Sequence, residues 1–222
     1  MAVKAARGAG YSWSMADEAG YAIAWLCRNG IDGASVVANH LRIASDVGAS
    51  TIKLQSLVQP WTGGAPGLCA LSAGASLSDL ASSEHDKPVA LQQVISATLL
   101  LPYFALVNQH LLSRANSPAE TVSTTTVRCK QFNATLVATA SASWLFDLVE
   151  YPDGSEHQCV DVIAEYASAA NPSINNATRP VQHRTEISIK ALEVLHRFAA
   201  NTYAPATKSS RQGAGAGETD ND

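Results

Sequence analysis

The sequence predicts an α+β fold in which a helical hairpin and a C-terminal helix flank a central, mainly antiparallel sheet. Apolar residues recur at helical spacing in the first fifty residues, and the same spacing returns after residue 185. Between them, β-branched and polar residues are punctuated by glycine, as is typical of strands and turns. We therefore predict a single domain (1–222) made of a helical hairpin (1–48), a strand-rich core (49–184), a C-terminal helix (185–201) and a Gly-rich tail (202–222).

Two helices are predicted before residue 48. Ser14 stands before Met15-Ala-Asp-Glu18, which resembles a capping box with acids in the first turn, so we expect a helix from Met15 to Asn29 that Gly30 ends. Asp32-Gly-Ala-Ser35 predicts a second cap, and the helix that follows should end near Gly48. Its apolar face comprises Val36, Val37, His40, Leu41 and Ala44.

The middle of the chain predicts strands and one uncharged core segment. The strands are expected at Thr51–Val58, Thr121–Lys130 and Ala134–Phe146, with Tyr151–Gly154 as a turn between strands near Trp144–Glu150 and Gln158–Ala164. The apolar segment Val94–Val107 has 14 residues, fewer than the roughly 20 that span a membrane, and is predicted to be buried core. The surrounding uncharged stretch Val89–Leu112 is expected to hold either a buried strand at Thr98–Val107 or a buried helix before it.

The last predicted helix is followed by an unusual tail. Ile187, Ala191, Leu192, Val194, Leu195, Phe198 and Ala199 form a wide apolar stripe, and Pro205 prevents the helix from continuing. Glycines at 213, 215 and 217 then alternate with alanine. Because they follow a helix rather than a strand, they are not a dinucleotide fingerprint, and no Walker loop occurs. We predict no cofactor.

Composition limits the partners. The chain carries 15 Lys and Arg against 19 Asp and Glu, for a net charge of −4 without a basic block, which argues against nucleic-acid binding. The four cysteines are widely spaced and the first residues form no apolar signal core, which indicates reduced thiols in a cytoplasmic protein, without metal and away from the membrane. Only 15% of the residues are charged, so homo-oligomerisation remains open.

The two ends resemble an uncharacterised bacterial family, catalogued as a domain of unknown function (number three-seven-two-six). The motifs that carry the resemblance are Ala5-Ala-Arg-Gly-Ala-Gly-Tyr-Ser-Trp13 with Asp17-Glu-Ala-Gly20, and Thr202-Tyr-Ala-Pro205 with the glycine-alternating run that closes on Asp222. The resemblance covers about the first forty-five and the last forty residues. It implies a bacterial cytoplasmic protein whose ends belong to the fold, and it supplies no catalytic residues.

The candidate site combines both ends of the chain. Arg7 and Arg211 would hold an anion, with backbone amides of Gly213, Gly215 and Gly217 completing the cradle. Trp13 is either a stacking platform or a hydrophobic anchor. Glu18, expected in the first turn of its helix, and Asp220 are the candidates for proton transfer, although a Glu in that position more often caps the helix. The simpler interpretation of the tail, which we favour over the anion site, is a flexible end or a strand-like clip over a neighbour.

Two hypotheses about function follow. The first is a small-molecule enzyme or binder that acts on an anionic metabolite between the N-terminal Arg-Gly-Ala-Gly turn and the tail. The alternative is a non-catalytic subunit or assembly protein whose tail clips onto a partner. The sequence shows no signature of nucleophilic catalysis, because Gly-x-Ser-x-Gly is absent and no activating pattern surrounds the cysteines.

Overall fold

The predicted α+β fold is confirmed. The computed structural model describes residues 1–81, 87–114, 122–139, 142–150, 159–169 and 185–203. The helices are α1 (Ala2–Gly8), α2 (Trp13–Arg28), α3 (Gly33–Val47), α4 (Ala70–Leu80), α5 (Leu101–Arg114) and α6 (Ile189–Ala200), with a 3-10 turn at Ala97–Leu100. The strands are β1 (Leu54–Ser56), β2 (Thr62–Gly63), β3 (Leu68–Cys69), β4 (Val89–Ile95), β5 (Val122–Arg128), β6 (Phe132–Ala138), β7 (Ser143–Glu150) and β8 (Val160–Ala169).

Six of these strands form one mixed sheet in the order β3-β4-β8-β5-β6-β7, while β1 and β2 pair separately. Only the first pair, β3 and β4, is parallel, with Leu68 opposite Val94 and Cys69 opposite Ile95. The other neighbours are antiparallel, as predicted. The short strand β3 runs directly into α4, so Cys69 lies where a strand ends and a helix begins.

The N-terminal hairpin is present, with one correction and one addition. Helix α2 begins at Trp13, and the hydroxyl of its cap Ser12 accepts a hydrogen bond from the Met15 N–H at 3.3 Å, so the predicted start at Met15 with Ser14 as cap is wrong. The Asp32 cap of α3 is confirmed, since its carboxylate accepts from the Ser35 N–H. The extra helix α1 has seven residues, too few to be stable alone, and it packs against α2 and α6.

The described residues of the part predicted to be strand-rich include helices α4 and α5. The segment Thr98–Val107 is not a strand, because it lies in the 3-10 turn and helix α5. The alternative, a helix before residue 98, is also wrong, because strand β4 lies there. Pro102 fits in the first turn of α5, where its missing N–H costs nothing. Helix α5 packs on β5, β6 and β7 and buries Tyr103 and Phe104 completely, which confirms this segment as core.

The other predicted strands are present, but their first and last residues differ from the prediction. The stretch predicted at Ala134–Phe146 contributes to two antiparallel strands, β6 and β7, and Thr51–Val58 shortens to β1. Strand β8 extends from Val160 to Ala169. The predicted turn Tyr151–Gly154 and the tail from residue 204 onward lie outside the described residues.

The two ends of the described chain meet, because α1 packs against α6. The approach is close: a Cβ on Gly8 would lie 1.7 Å from the carbonyl oxygen of Phe198. The Asn201 side chain donates a hydrogen bond to the Gly8 carbonyl at 3.2 Å. This contact brings the end of α6 beside Arg7 and Trp13.

None of the helices in the described part of the chain combines the length and the apolar character that crossing a membrane requires.

Candidate functional site

Tyr11, His40 and Cys69 meet in the interior beneath a cleft, and we call them the Cys69 trio. Each comes from a different element: Tyr11 from the turn between α1 and α2, His40 from α3, and Cys69 from the end of β3. All three are buried, with 4%, 0% and 1% of their surfaces exposed. The tertiary structure therefore brings together three side chains that the sequence separates by 29 positions at each step.

The trio is connected through one ring nitrogen. Nε2 of His40 lies 2.8 Å from the Tyr11 hydroxyl and 3.4 Å from Sγ of Cys69. The Tyr11 hydroxyl also lies 3.4 Å from Sγ. The rings of Tyr11 and His40 stack at 6.1 Å between centroids, which holds the imidazole against the turn. The thiol thus has both a base and a hydroxyl within hydrogen-bond reach.

Local structure places Cys69 at the N-terminus of an 11-residue helix. Cys69 occupies the cap position of α4, and its backbone N–H donates to the Ile52 carbonyl at 2.7 Å. The Ser72 hydroxyl donates to the Cys69 carbonyl and accepts from the Leu54 N–H, both at 3.0 Å, which fixes the backbone around the thiol. A helix N-terminus presents unpaired N–H groups and partial positive charge, an environment that favours a thiolate.

The surroundings of Cys69 lower its pKa to about 7. Burial by itself raises the pKa of the thiol, but the positive charge of a protonated His40, hydrogen bonds with His40 and Tyr11, and the backbone of Ser72 together outweigh it. A pKa near neutrality gives a substantial thiolate fraction at physiological pH. It is the condition that a nucleophilic cysteine needs.

Tyr11 acts as a donor within the trio. Burial raises the pKa of its hydroxyl well above the ordinary range, and the negative charge of Cys69 raises it further, so the hydroxyl keeps its proton. The other ring nitrogen of His40, Nδ1, is buried without a hydrogen-bond partner among the described residues. Among the described residues, the hydroxyl of Tyr11 and Sγ of Cys69 are the polar contacts of the imidazole, both through Nε2.

A cleft of about 620 Å³ leads to the trio. Its walls include Cys69 and Tyr11, the serines 12, 50, 72 and 76, the apolar Met15 and Leu54, and the charged Lys53 and Asp79. Volumes of this size accommodate small molecules. Cys69 exposes only 1% of its surface and is one of the residues that line this cleft.

The arrangement resembles the surroundings of nucleophilic cysteines. Enzymes that transfer acyl groups through a thioester use a thiolate beside an imidazole. The N–H groups of a helix N-terminus can stabilise the oxyanion that forms. Across the described residues, no group of three or more His, Cys, Asp or Glu side chains is placed to hold a metal ion.

Arg7 and Trp13, predicted from the sequence as ligand-binding residues, lie together in a separate hollow. The Arg7 guanidinium carbon lies 4.8 Å from the centre of the Trp13 ring. The hollow has a volume of about 450 Å³ and is lined by Lys4, Arg7, Trp13, Asn201, Thr202 and Tyr203; we call it the α1–α6 hollow. Arg211, Gly213, Gly215, Gly217 and Asp220 lie outside the described residues, so the tail half of that site stays a prediction.

Glu18 is separate from both the cleft and the hollow. Because α2 begins at Trp13, Glu18 falls in the second turn and no acidic residue stands in the first, which corrects the placement expected from the sequence. Its backbone carbonyl accepts a hydrogen bond from Tyr103 at 3.4 Å. It lines neither the cleft nor the α1–α6 hollow, and its role in proton transfer remains a prediction.

Sequence reasoning missed all three members of the Cys69 trio. Two signals were available. His40 interrupts the apolar stripe of its helix, and a buried histidine needs a partner. Ala70, Ala73, Leu77 and Leu80 follow Cys69 at spacings of three and four residues, a weak helical pattern that is compatible with a helix beginning at the cysteine. Neither signal says that the two residues meet.

Comparison with known proteins gives one family and no function. Residues 1–89 are similar to a family described as "Protein of unknown function (DUF3726)". The matched segment, less than half of the chain, extends from α1 to the start of β4 and contains the whole trio. It does not include the C-terminal motifs of the resemblance, which stay a prediction. Neither the curated proteins nor the solved structures contain a significant match to this chain.

Proposed function

We propose that this protein is a thiol-dependent enzyme in which Cys69 transfers or hydrolyses the acyl group of a small molecule. One observation carries the proposal: a cysteine whose pKa is lowered to about 7 lies at a helix N-terminus, 3.4 Å from a histidine nitrogen, in the wall of a cleft. A cysteine that only fills the core needs neither the base nor the lowered pKa.

The first half-reaction forms a thioester. The Cys69 thiolate attacks the carbonyl carbon, a C–S bond forms, and the carbonyl electrons move to oxygen, where N–H groups of the first turn of α4 stabilise the charge. As the oxyanion collapses, the bond to the leaving nitrogen or oxygen breaks. Protonated His40 supplies the proton that this leaving group takes up.

The second half-reaction releases the acid. Neutral His40 takes a proton from water, the water oxygen bonds to the thioester carbon, and the C–S bond breaks to restore the thiolate. Tyr11 acts as a positioning residue throughout, because its hydroxyl and its ring both hold the imidazole.

The cleft indicates a small substrate of mixed polarity. Serine hydroxyls line it on several sides, Met15 and Leu54 supply apolar contact, and the exposed ammonium of Lys53 lies at its edge. Because Asp79 lines the cleft as well as Lys53, a short acyl compound of mixed polarity suits these walls.

The bacterial and cytoplasmic setting predicted from the sequence forms part of this proposal. The four cysteines are free thiols, as a reducing compartment keeps them. The anionic-metabolite site between the N-terminal turn and the tail, the non-catalytic alternative and homo-oligomerisation remain predictions from the sequence.

Chemical labelling tests the proposal directly. In a variant with Cys27, Cys129 and Cys159 all changed to Ser, iodoacetamide should modify folded protein at Cys69, with a half-maximal rate near pH 7. p-Nitrophenyl acetate should then release p-nitrophenol with one acetyl group on Cys69, which mass spectrometry detects and hydroxylamine removes.

The Cys69→Ser variant is the matched control, because it keeps the cleft and removes the thiol. It should accept no acetyl group and show no burst of p-nitrophenol. If the folded triple variant reacted only above pH 9, or not at all, the trio would be a structural hydrogen-bond network and the proposal would be wrong.

A further inference from the structure

We infer that the α1–α6 hollow is a second binding site, which takes a planar aromatic anion such as an aryl phosphate. It is distinct from the cleft that leads to Cys69, because the two share none of their lining residues. The inference does not depend on the chemistry proposed for the thiol.

The hollow concentrates positive charge in a protein whose net charge is −4. Lys4 and Arg7 both line it, and none of the lining residues that the structure describes is acidic. Neither cation forms an ion pair with a carboxylate in the described part of the chain, where the ion pair is Arg128 with Glu165. Two cations side by side repel each other, and a bound anion removes this repulsion.

The walls also offer aromatic faces. Trp13 and Tyr203 expose 62% and 65% of their surfaces, unlike the buried Trp25, Trp61 and Trp144. One cation lies near each ring: Lys4 Nζ is 5.3 Å from the centre of the Tyr203 ring, and Arg7 Cζ is 4.8 Å from the centre of the Trp13 ring. A ligand with a ring and a negative group therefore meets stacking surfaces and charge together.

Arg7 is held in place before any ligand arrives. One terminal nitrogen of its guanidinium donates to the Tyr11 carbonyl, while the guanidinium carbon lies 4.8 Å from the centre of the Trp13 ring. A guanidinium has five N–H donors, so most remain available to a phosphate or carboxylate. Restraining the side chain beforehand lowers the entropy cost of binding.

Phenyl phosphate is the probe that tests this site in the full-length protein. Calorimetry should show binding that weakens as salt rises, and the ligand should protect Trp13 from acrylamide quenching. Inorganic phosphate lacks the ring and phenol lacks the phosphate, so both should bind more weakly than phenyl phosphate. Lys4→Ala and Trp13→Ala should each weaken phenyl phosphate binding by about tenfold.

Arg42→Ala is the matched control, since it removes an exposed cation from α3, away from the hollow, and should leave the affinity unchanged. The tail that follows Tyr203 carries Glu218, Asp220 and Asp222. If neutralising these three as Gln and Asn tightened binding, the tail carboxylates would be competing for the same cations, which supports an anion site. Absence of binding in both the natural and the neutralised protein, or equal loss in Arg42→Ala, would overturn the inference.

Discussion

Cys69 ends strand β3 and Cys159 immediately precedes strand β8 of the same sheet, yet the pKa of Cys69 is lowered and that of Cys159 is raised. Burial raises the pKa of Cys159, whose Sγ only donates a weak hydrogen bond to the Pro66 carbonyl at 3.4 Å. Burial is more complete at Cys69, but His40, Tyr11 and the helix N-terminus outweigh it, and the pKa falls to about 7. Burial alone thus makes a cysteine inert, and neighbours of the right kind make it reactive.

The largest effect should come from removing the base. With His40→Asn, the pKa of Cys69 should return to 9 or above, so the thiolate fraction at pH 7 falls from about half to about 1%. A more basic thiolate is also more nucleophilic, which offsets part of this loss. Alkylation of the Cys69-only protein at pH 7 should slow by about tenfold or more. The control is Asp46→Asn, an exposed change on the same helix, which should leave the alkylation rate unaltered. If His40→Asn reacted as fast as Asp46→Asn, His40 would not be what lowers the pKa of Cys69 relative to that of Cys159.

The second prediction concerns stability against pH. Because the pKa of Cys69 is lower in the folded protein than the unfolded value of 9.0, its contribution is complete above pH 9 and is lost as the pH falls through about 7. The free energy of unfolding of the natural protein, minus that of Cys69→Ser, should therefore rise by about 2 kcal/mol between pH 7 and pH 9. Urea denaturation at several pH values measures this difference. If this difference in the free energy of unfolding did not change with pH, the thiol would not be stabilised as a thiolate in the folded protein.

The third prediction separates general stability from thiol reactivity. Asp32 caps α3 through the Ser35 N–H and also accepts from the Ser188 N–H at 3.0 Å, so it joins α3 to the start of α6. Asp32→Ala should lower the free energy of unfolding by about 1–2 kcal/mol. His40 lies two turns farther along, so alkylation of Cys69 in the folded variant should stay within about twofold. A tenfold loss of labelling would show that reactivity depends on global stability instead.

The smallest effect is expected at the other thiol. Cys159→Ser should change the free energy of unfolding by less than about 0.5 kcal/mol, because the residue is only partly buried and a hydroxyl can still donate to Pro66. Denaturation curves and the labelling rate of Cys69 should both match those of the natural protein. A fall in Cys69 labelling would show that the two thiols are coupled, which the described contacts give no reason to expect.

Local sequence predicted the elements with strong local signals. The Asp32 cap of α3, the β-branched strand β5 and the apolar stripe of α6 all depend on neighbours within a few residues, and each was confirmed. Errors arose where short-range signals competed. Ser12 and Ser14 both suit a cap, and in the structure it is the Ser12 hydroxyl that accepts from the Met15 N–H. Helix α4 was missed because its small residues gave a weak periodic pattern.

The sequence by itself determined the composition, the charge, the α+β class and the apolar segment that became the core. Only the tertiary structure decided the candidate site, because Tyr11, His40 and Cys69 gain their chemistry from distances that no local pattern encodes. A histidine changes the pKa of a thiol when the two lie a few ångströms apart in a region that excludes water, and the chain reaches that arrangement only when α1, α3 and β3 pack together.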